Sequence, residues 1–362
     1  VTATLADLVR ERHIVVCCGP GGVGKTSTAA ALAIEGARFG RRSCVVTIDP
    51  AKRLANALGL ASLTSSPGRI DGPWPGELWA LMLDTKNTFD ALVTRHARSP
   101  EQAQRILANR FYRNISGTLS GTQEYMAMEK LYELHDAGNF DLIVVDTPPT
   151  RNALDFLDAP RRLTRLLDNR IFRLLMMPTR AYMRAVSLAT QAFLRTVSRV
   201  VGTEVVEDAV AFFSAFEGME EGFRQRAQAV LRLQRDPATA FVVVASPRRD
   251  AVEEATFFVE KLAEYRIPVQ ALVANRLHPT FADGPVRPEA DRARAQTLAG
   301  TALGVLYANL ADFRTVAVRE EHHLAGLAAM VAPAPVVRVP MLPSDVHDLD
   351  GLERLRAYLF AA

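Results

Sequence analysis

An unbroken apolar run, Ile14-Val15-Val16-Cys17-Cys18, leads directly into Gly19-Pro20-Gly21-Gly22-Val23-Gly24-Lys25-Thr26, and an amphipathic stretch follows to Phe39. Strand, loop and helix in that order satisfy the spacing G-x-x-x-x-G-K-[ST], which restricts a fold more tightly than most short motifs. Glycines let the main chain curl round a β-phosphate. Successive N–H groups and the helix N-terminus face the anion, the lysine adds a point charge, and the threonine hydroxyl reaches a magnesium ion. Gly21, Gly22, Val23, Gly24, Lys25, Thr26 and Ser27 are therefore the expected nucleotide-binding residues, with Lys25 also catalytic and Thr26 a magnesium ligand.

The rest of the chain agrees with such a loop. Mostly apolar, β-rich runs recur at Cys44–Ile48, Leu78–Leu83, Leu142–Val145, Phe241–Ala245, Val269–Val273 and Val336–Val339, separated by helix-length patterns such as Val252 to Tyr265. Strands without in-and-out alternation are covered on both faces, as in parallel sheets. The pattern predicts an α/β fold, a doubly wound and mostly parallel sheet of the P-loop NTPase kind. Residues 87–138 and 157–236 carry helical periodicity without a credible strand. They are expected to form an inserted helical subdomain, leaving 1–86, 139–156 and 237–362 to the sheet domain. A loop rich in proline, His278 to Pro288, precedes a long helical region ending near Met330.

Composition narrows the partners. With 43 basic and 40 acidic residues the net charge is only +3, which gives no case for nucleic-acid binding, and 49% hydrophobic content over 362 residues excludes disordered and fibrous classes. Only five lysines occur: Lys25, Lys52, Lys86, Lys130 and Lys261. Cys17, Cys18 and Cys44 lie in β-like runs with no paired spacing, so buried thiols in a reducing compartment are expected and a zinc site is not. No export signal or integral membrane segment is read; the nearest apolar stretch, residues 171–189, is broken by Arg173, Pro178, Arg180 and Arg184. A cytoplasmic protein is expected, with peripheral membrane attachment left open.

Two acidic segments follow strands: Asp49-Pro50-Ala51-Lys52-Arg53-Leu54 and Asp146-Thr147-Pro148-Pro149-Thr150-Arg151-Asn152. Residues there lie at the carboxyl edge of the sheet, beside the phosphate loop. An isolated Asp-Pro reads equally as a turn or helix cap. Together these residues resemble the arsenite-pump and tail-anchored-protein-targeting ATPases, the signature-lysine P-loop group, whose loop reads GKGGVGKT and whose switches read DPAHxLxDxxG and DTAPTGHTLRFL. The similarity covers almost the whole chain, including Leu81 to Asp84, Phe241 to Leu262, Asn275 within Val273-Ala274-Asn275-Arg276, and Pro340-Met341-Leu342-Pro343-Ser344-Asp345-Val346.

The resemblance implies that Asp49 polarises the attacking water and that Asp146 holds the magnesium shell through water. It implies that Thr147 and Thr150 transmit the nucleotide state, that Asn275 reads adenine, and that Pro340, Met341 and Leu342 close over the base. ATP and ADP with magnesium would be the cofactors, bound by a dimer. Without the family match, Asn275 is equally a polar strand end and Pro340 to Asp345 an ordinary loop.

Three departures matter. The signature lysine is Pro20, the switch-I histidine is Lys52, and the switch-II Gly-His is Arg151-Asn152. A cation supplied in trans is worth about 10³ to 10⁵ in phosphoryl transfer. Two expectations follow: either Lys52 or Arg151, each equally a solvated surface charge, is the catalytic substitute, or a non-identical partner brings its own cation. The arsenite-binding cysteines and the zinc-bridging CxxC of the family are absent. In the helical segment, apolar clusters such as Leu174 to Met177, Phe193 to Val201 and Phe212 to Phe216 correspond to the family's groove for a client's membrane helix, or pack on themselves. The leading expectation is a dimeric Mg-ATPase, homo- or hetero-, that opens and closes a helical client or partner surface. The alternatives are a weakly hydrolysing regulatory or scaffold subunit of a hetero-oligomer and, from the phosphate loop alone, a small-molecule kinase.

Overall fold

Eight strands form one sheet in the computed structural model, which describes residues 4–48, 53–115, 122–148, 150–168, 203–281 and 285–361. They are β1 (Ile14–Cys18), β2 (Arg42–Thr47), β3 (Gly68–Ile70), β4 (Glu77–Met82), β5 (Leu142–Asp146), β6 (Thr239–Ala245), β7 (Val269–Leu277) and β8 (Val336–Pro340). Their order is β3-β4-β2-β5-β1-β6-β7-β8, and every pairing is parallel except β3 with β4. The doubly wound, mostly parallel sheet read from the sequence is therefore present. All residues of β1, β5 and β6 are buried, as runs without alternation require.

From β1 the chain moves to β2 on one side, returns through β5, and then builds β6, β7 and β8 on the other. The order reverses at β1, and in such sheets the crevice beyond the carboxyl ends at the reversal is where ligands bind. The phosphate loop leaves β1 at that crevice.

The Lys25–Arg38 helix packs tightly because its inner face is small. Ala29, Ala30, Ala31, Ala33 and Ala37 are wholly buried, and a methyl group at Gly36 would stand 2.3 Å from Ser43 Oγ. The Leu349–Leu359 helix is tied to it by Arg356 Nη1 donating to Glu35 Oε2 at 2.8 Å. The Ala302–Val331 helix occupies the region read as a long helix.

The chain divides into two compact units. One comprises 1–82, 138–154 and 237–362 and contains the sheet; the other comprises 83–137 and 155–236 and is helical. The second has its own core, in which Phe212 lies 4.8 Å from Phe216 and Phe216 lies 5.5 Å from Phe223, ring centre to ring centre. Phe212 and Phe216 are thus self-packed, whereas the clusters from Leu174 to Val201 lie outside the described residues. No helix among the described residues is long and apolar enough to cross a membrane.

Candidate functional site

Gly19 ends β1 with φ +142, and a Cβ there would meet the Val244 carbonyl oxygen of β6 at 2.1 Å. The loop can therefore press against the neighbouring strand only as glycine. Gly24 caps the Lys25–Arg38 helix with φ +96, ψ +24. Lys25, the first residue of that helix, folds back over the loop, its Nζ donating to the carbonyls of Gly19 at 3.0 Å and Pro20 at 2.7 Å. Proline at position 20 removes an N–H but keeps the carbonyl that positions the lysine.

The second cluster hangs from the ends of β2 and β5. Asp146 lies beside Cys17 of β1 and Thr47 of β2 in the strand register. Its Oδ2 accepts from Thr26 Oγ1 at 2.9 Å and from Thr47 Oγ1 at 2.9 Å, and the carboxylate is buried. One carboxylate oxygen and two hydroxyls thus converge at the mouth of the loop, a hard oxygen set of the type magnesium takes. Thr26 and Asp146, expected as magnesium-binding, are brought together. Thr47 was not among the expected residues; a threonine ending a strand carries no signal of its own without knowledge that β5 lies beside it. Thr147 is fixed in place, its Oγ1 donating to the Cys17 carbonyl at 2.8 Å. Burial, reinforced by Asp146, holds the Cys17 thiol well above its ordinary range, and burial does the same to Cys18.

Asn275 near the end of β7 reaches the loop. Its Nδ2 donates to the Val23 carbonyl at 2.8 Å, and its Oδ1 accepts from the Arg276 N–H at 2.9 Å. An amide in this state keeps one N–H and one lone pair for a ligand. Beside it a cavity of about 330 Å³ is bordered by Gly24, Ser27, Asn275, Pro340, Met341 and Leu342. Of these, Asn275, Pro340, Met341 and Leu342 were expected at the base end of the site, and Gly24 and Ser27 in the phosphate loop. A neighbouring cavity of about 340 Å³ is bordered by Pro20, Gly21 and Gly22. Asp49 and Lys52 lie outside the described residues. Arg151 lies in the Thr150–Asp168 helix, and its side chain and that of Thr150 are outside the description.

Residues 12–298 match the family described as anion-transporting ATPase. Among curated relatives, the chain is 24% identical over 276 residues to ATPase GET3 of Malassezia globosa, covering 76% of each. It is 25% identical over 359 residues to ATPase GET3A of Arabidopsis thaliana, covering 98% of this chain and 86% of that one. An uncharacterised protein of Streptomyces coelicolor, SCO2128, is 31% identical over 266 residues, covering 72% of this chain and 61% of that one. The matched span runs from the strand that feeds the phosphate loop through Asp146 to Asn275, so the sheet, the loop and the family match all converge, and the chain belongs to the anion-transporting ATPase family.

Proposed function

We propose that this chain is itself a magnesium-dependent ATPase whose nucleotide cycle opens and closes a helical client or partner surface at a dimer interface. The observation that carries the reading is the convergence of Lys25, Thr26, Thr47 and Asp146 at the carboxyl edge of the sheet. Gly21 to Ser27 would cradle the phosphates of ATP or ADP, with Lys25 leaving the Gly19 and Pro20 carbonyls to meet them. Asn275 and the Pro340–Leu342 segment would hold the base. Thr26 directly, and Asp146 and Asp49 through water, would hold magnesium, which when bound neutralises charge on the phosphates. Asp49 would orient the attacking water.

Binding and turnover can be separated. Calorimetry with Mg-ATP, followed by single-turnover hydrolysis of wild type and Asp49→Asn, should give similar affinity and a rate lower by at least about 10²-fold in the variant. Absence of ATP and ADP binding, in the chain and in any assembly that co-purifies with it, would remove the reading.

Pro20 favours a second reading, a nucleotide-binding regulatory or scaffold subunit with slow hydrolysis in a hetero-oligomer. Binding without any Asp49-dependent turnover would select it. In the first reading Lys52, Arg151 or a partner supplies the missing charge: alanine at whichever of the two residues supplies it should slow hydrolysis without abolishing nucleotide binding, and unchanged turnover with alanine at each would leave the charge to a partner. The helical unit is the proposed client or partner surface, for a hydrophobic helix or membrane-protein segment.

A further inference from the structure

Arg276 is held in a conformation that residues with a Cβ rarely adopt. Its φ is +64, in the left-handed region. Pairing of β7 with β8 runs in register to Ala274 opposite Arg338 and then shifts before Leu277 opposite Pro340, so the arginine sits at a bulge. Bulges at strand ends re-aim side chains, and outliers of this kind persist where the surroundings fix them. Here they do: the Arg276 N–H is bound to Asn275 Oδ1, and the following carbonyl, that of Leu277, accepts from the Met341 N–H at 2.7 Å.

The bulge delivers the guanidinium to the site. Arg276 is exposed, and among the described residues its side chain has no hydrogen-bond or ion-pair partner. Together with Met341 it borders both cavities, the one beside Pro20 to Gly22 and the one beneath Asn275. Asn275 retains one N–H and one lone pair, which act in the plane of a base. Contact with the faces of a ring must come from the walls of the cavity instead. A guanidinium is planar, delocalised and weakly hydrated, and stacks on aromatic faces in a way that an ammonium cannot.

Resting on the nucleotide reading above, we propose that Arg276 covers one face of the purine ring in the cavity beneath Asn275, a cation-on-ring contact made within the same chain. It is a binding residue for the base and not a substitute for the charge missing at Pro20.

Calorimetry on the full chain with magnesium tests this, using ATP and, as a probe with no base, tripolyphosphate, on wild type, Arg276→Gln and Arg276→Lys with matched melting curves. Arg276→Gln should bind ATP about tenfold more weakly while its affinity for tripolyphosphate stays at the wild-type value, and lysine should restore only a minor part of the loss. Unchanged ATP affinity in the glutamine variant overturns the proposal. So does an equal loss for tripolyphosphate, which would put the cation on the phosphates, or full recovery with lysine. Wild type that takes up neither probe defeats the nucleotide reading itself, a result distinct from all of these.

Discussion

A methyl group at Gly24 would stand 2.3 Å from Asn275 Nδ2, on a residue whose φ is +96. Gly24→Ala is therefore expected to push the Asn275 amide off the Val23 carbonyl and to lower ATP affinity by roughly tenfold or more, a loss of at least about 1.4 kcal/mol; titration calorimetry reads it directly. Thr47→Val keeps the shape of the side chain and removes one donor to Asp146. It should cost about 1 to 2 kcal/mol in urea unfolding and weaken magnesium-dependent binding of ATP, because the carboxylate loses one of the two hydroxyls that orient it. The loop, from Gly19 to Thr26, is legible in the sequence because all its chemistry is local. Thr47 and the strained arginine are not, since one depends on β5 arriving beside β2 and the other on where β8 pairs.

Among the elements, a buried pair in the helical unit carries the clearest pH signature. Arg226 on the Glu220–Leu233 helix donates to Glu129 on the Thr122–Asp136 helix at 2.7 and 3.0 Å and lies 4.0 Å above the Tyr132 ring. Burial pushes the Glu129 carboxyl up from near 4.5 to about 7, with Arg226 and Arg95 pulling down and Glu133 pushing up. The folded carboxyl then keeps its proton over a range in which the unfolded one has released it. Stability from this group is fully present below about pH 4.5 and is lost as the pH rises towards 7. Glu129→Gln should flatten the fall in unfolding free energy between those limits in urea titrations at several pH values; an unchanged slope would show that the pair stays ionised throughout. Phe216, packed between Phe212 and Phe223, should cost about 3 to 5 kcal/mol on truncation to alanine. The long apolar strands were readable because cover on both faces leaves an unbroken apolar run. β3 was not: it has three residues, two of them exposed, and owes its existence to antiparallel pairing with β4.

For the whole molecule, the proposed coupling makes a demand that the sheet-bearing unit alone does not. ATP at about a hundred times its dissociation constant stabilises the unit that binds it by roughly 2.7 kcal/mol. Hydrogen exchange followed by mass spectrometry should then show slower exchange in the phosphate loop, and, if the nucleotide state is transmitted, altered exchange in 83–137 and 155–236 as well. Protection confined to the first unit would leave the helices uncoupled from nucleotide. Residues 87–138 and 157–236 read as helical in the sequence because they hold no credible strand. β5 lies between β1 and β2 yet is translated after both, with the first helical insertion in between. At ordinary ribosome speeds the gap between the first two strands must wait on the order of ten seconds for its occupant, so a nascent chain stalled within that insertion should expose three unpaired strand borders, both of β1 and one of β2, and be a preferred substrate for holding chaperones.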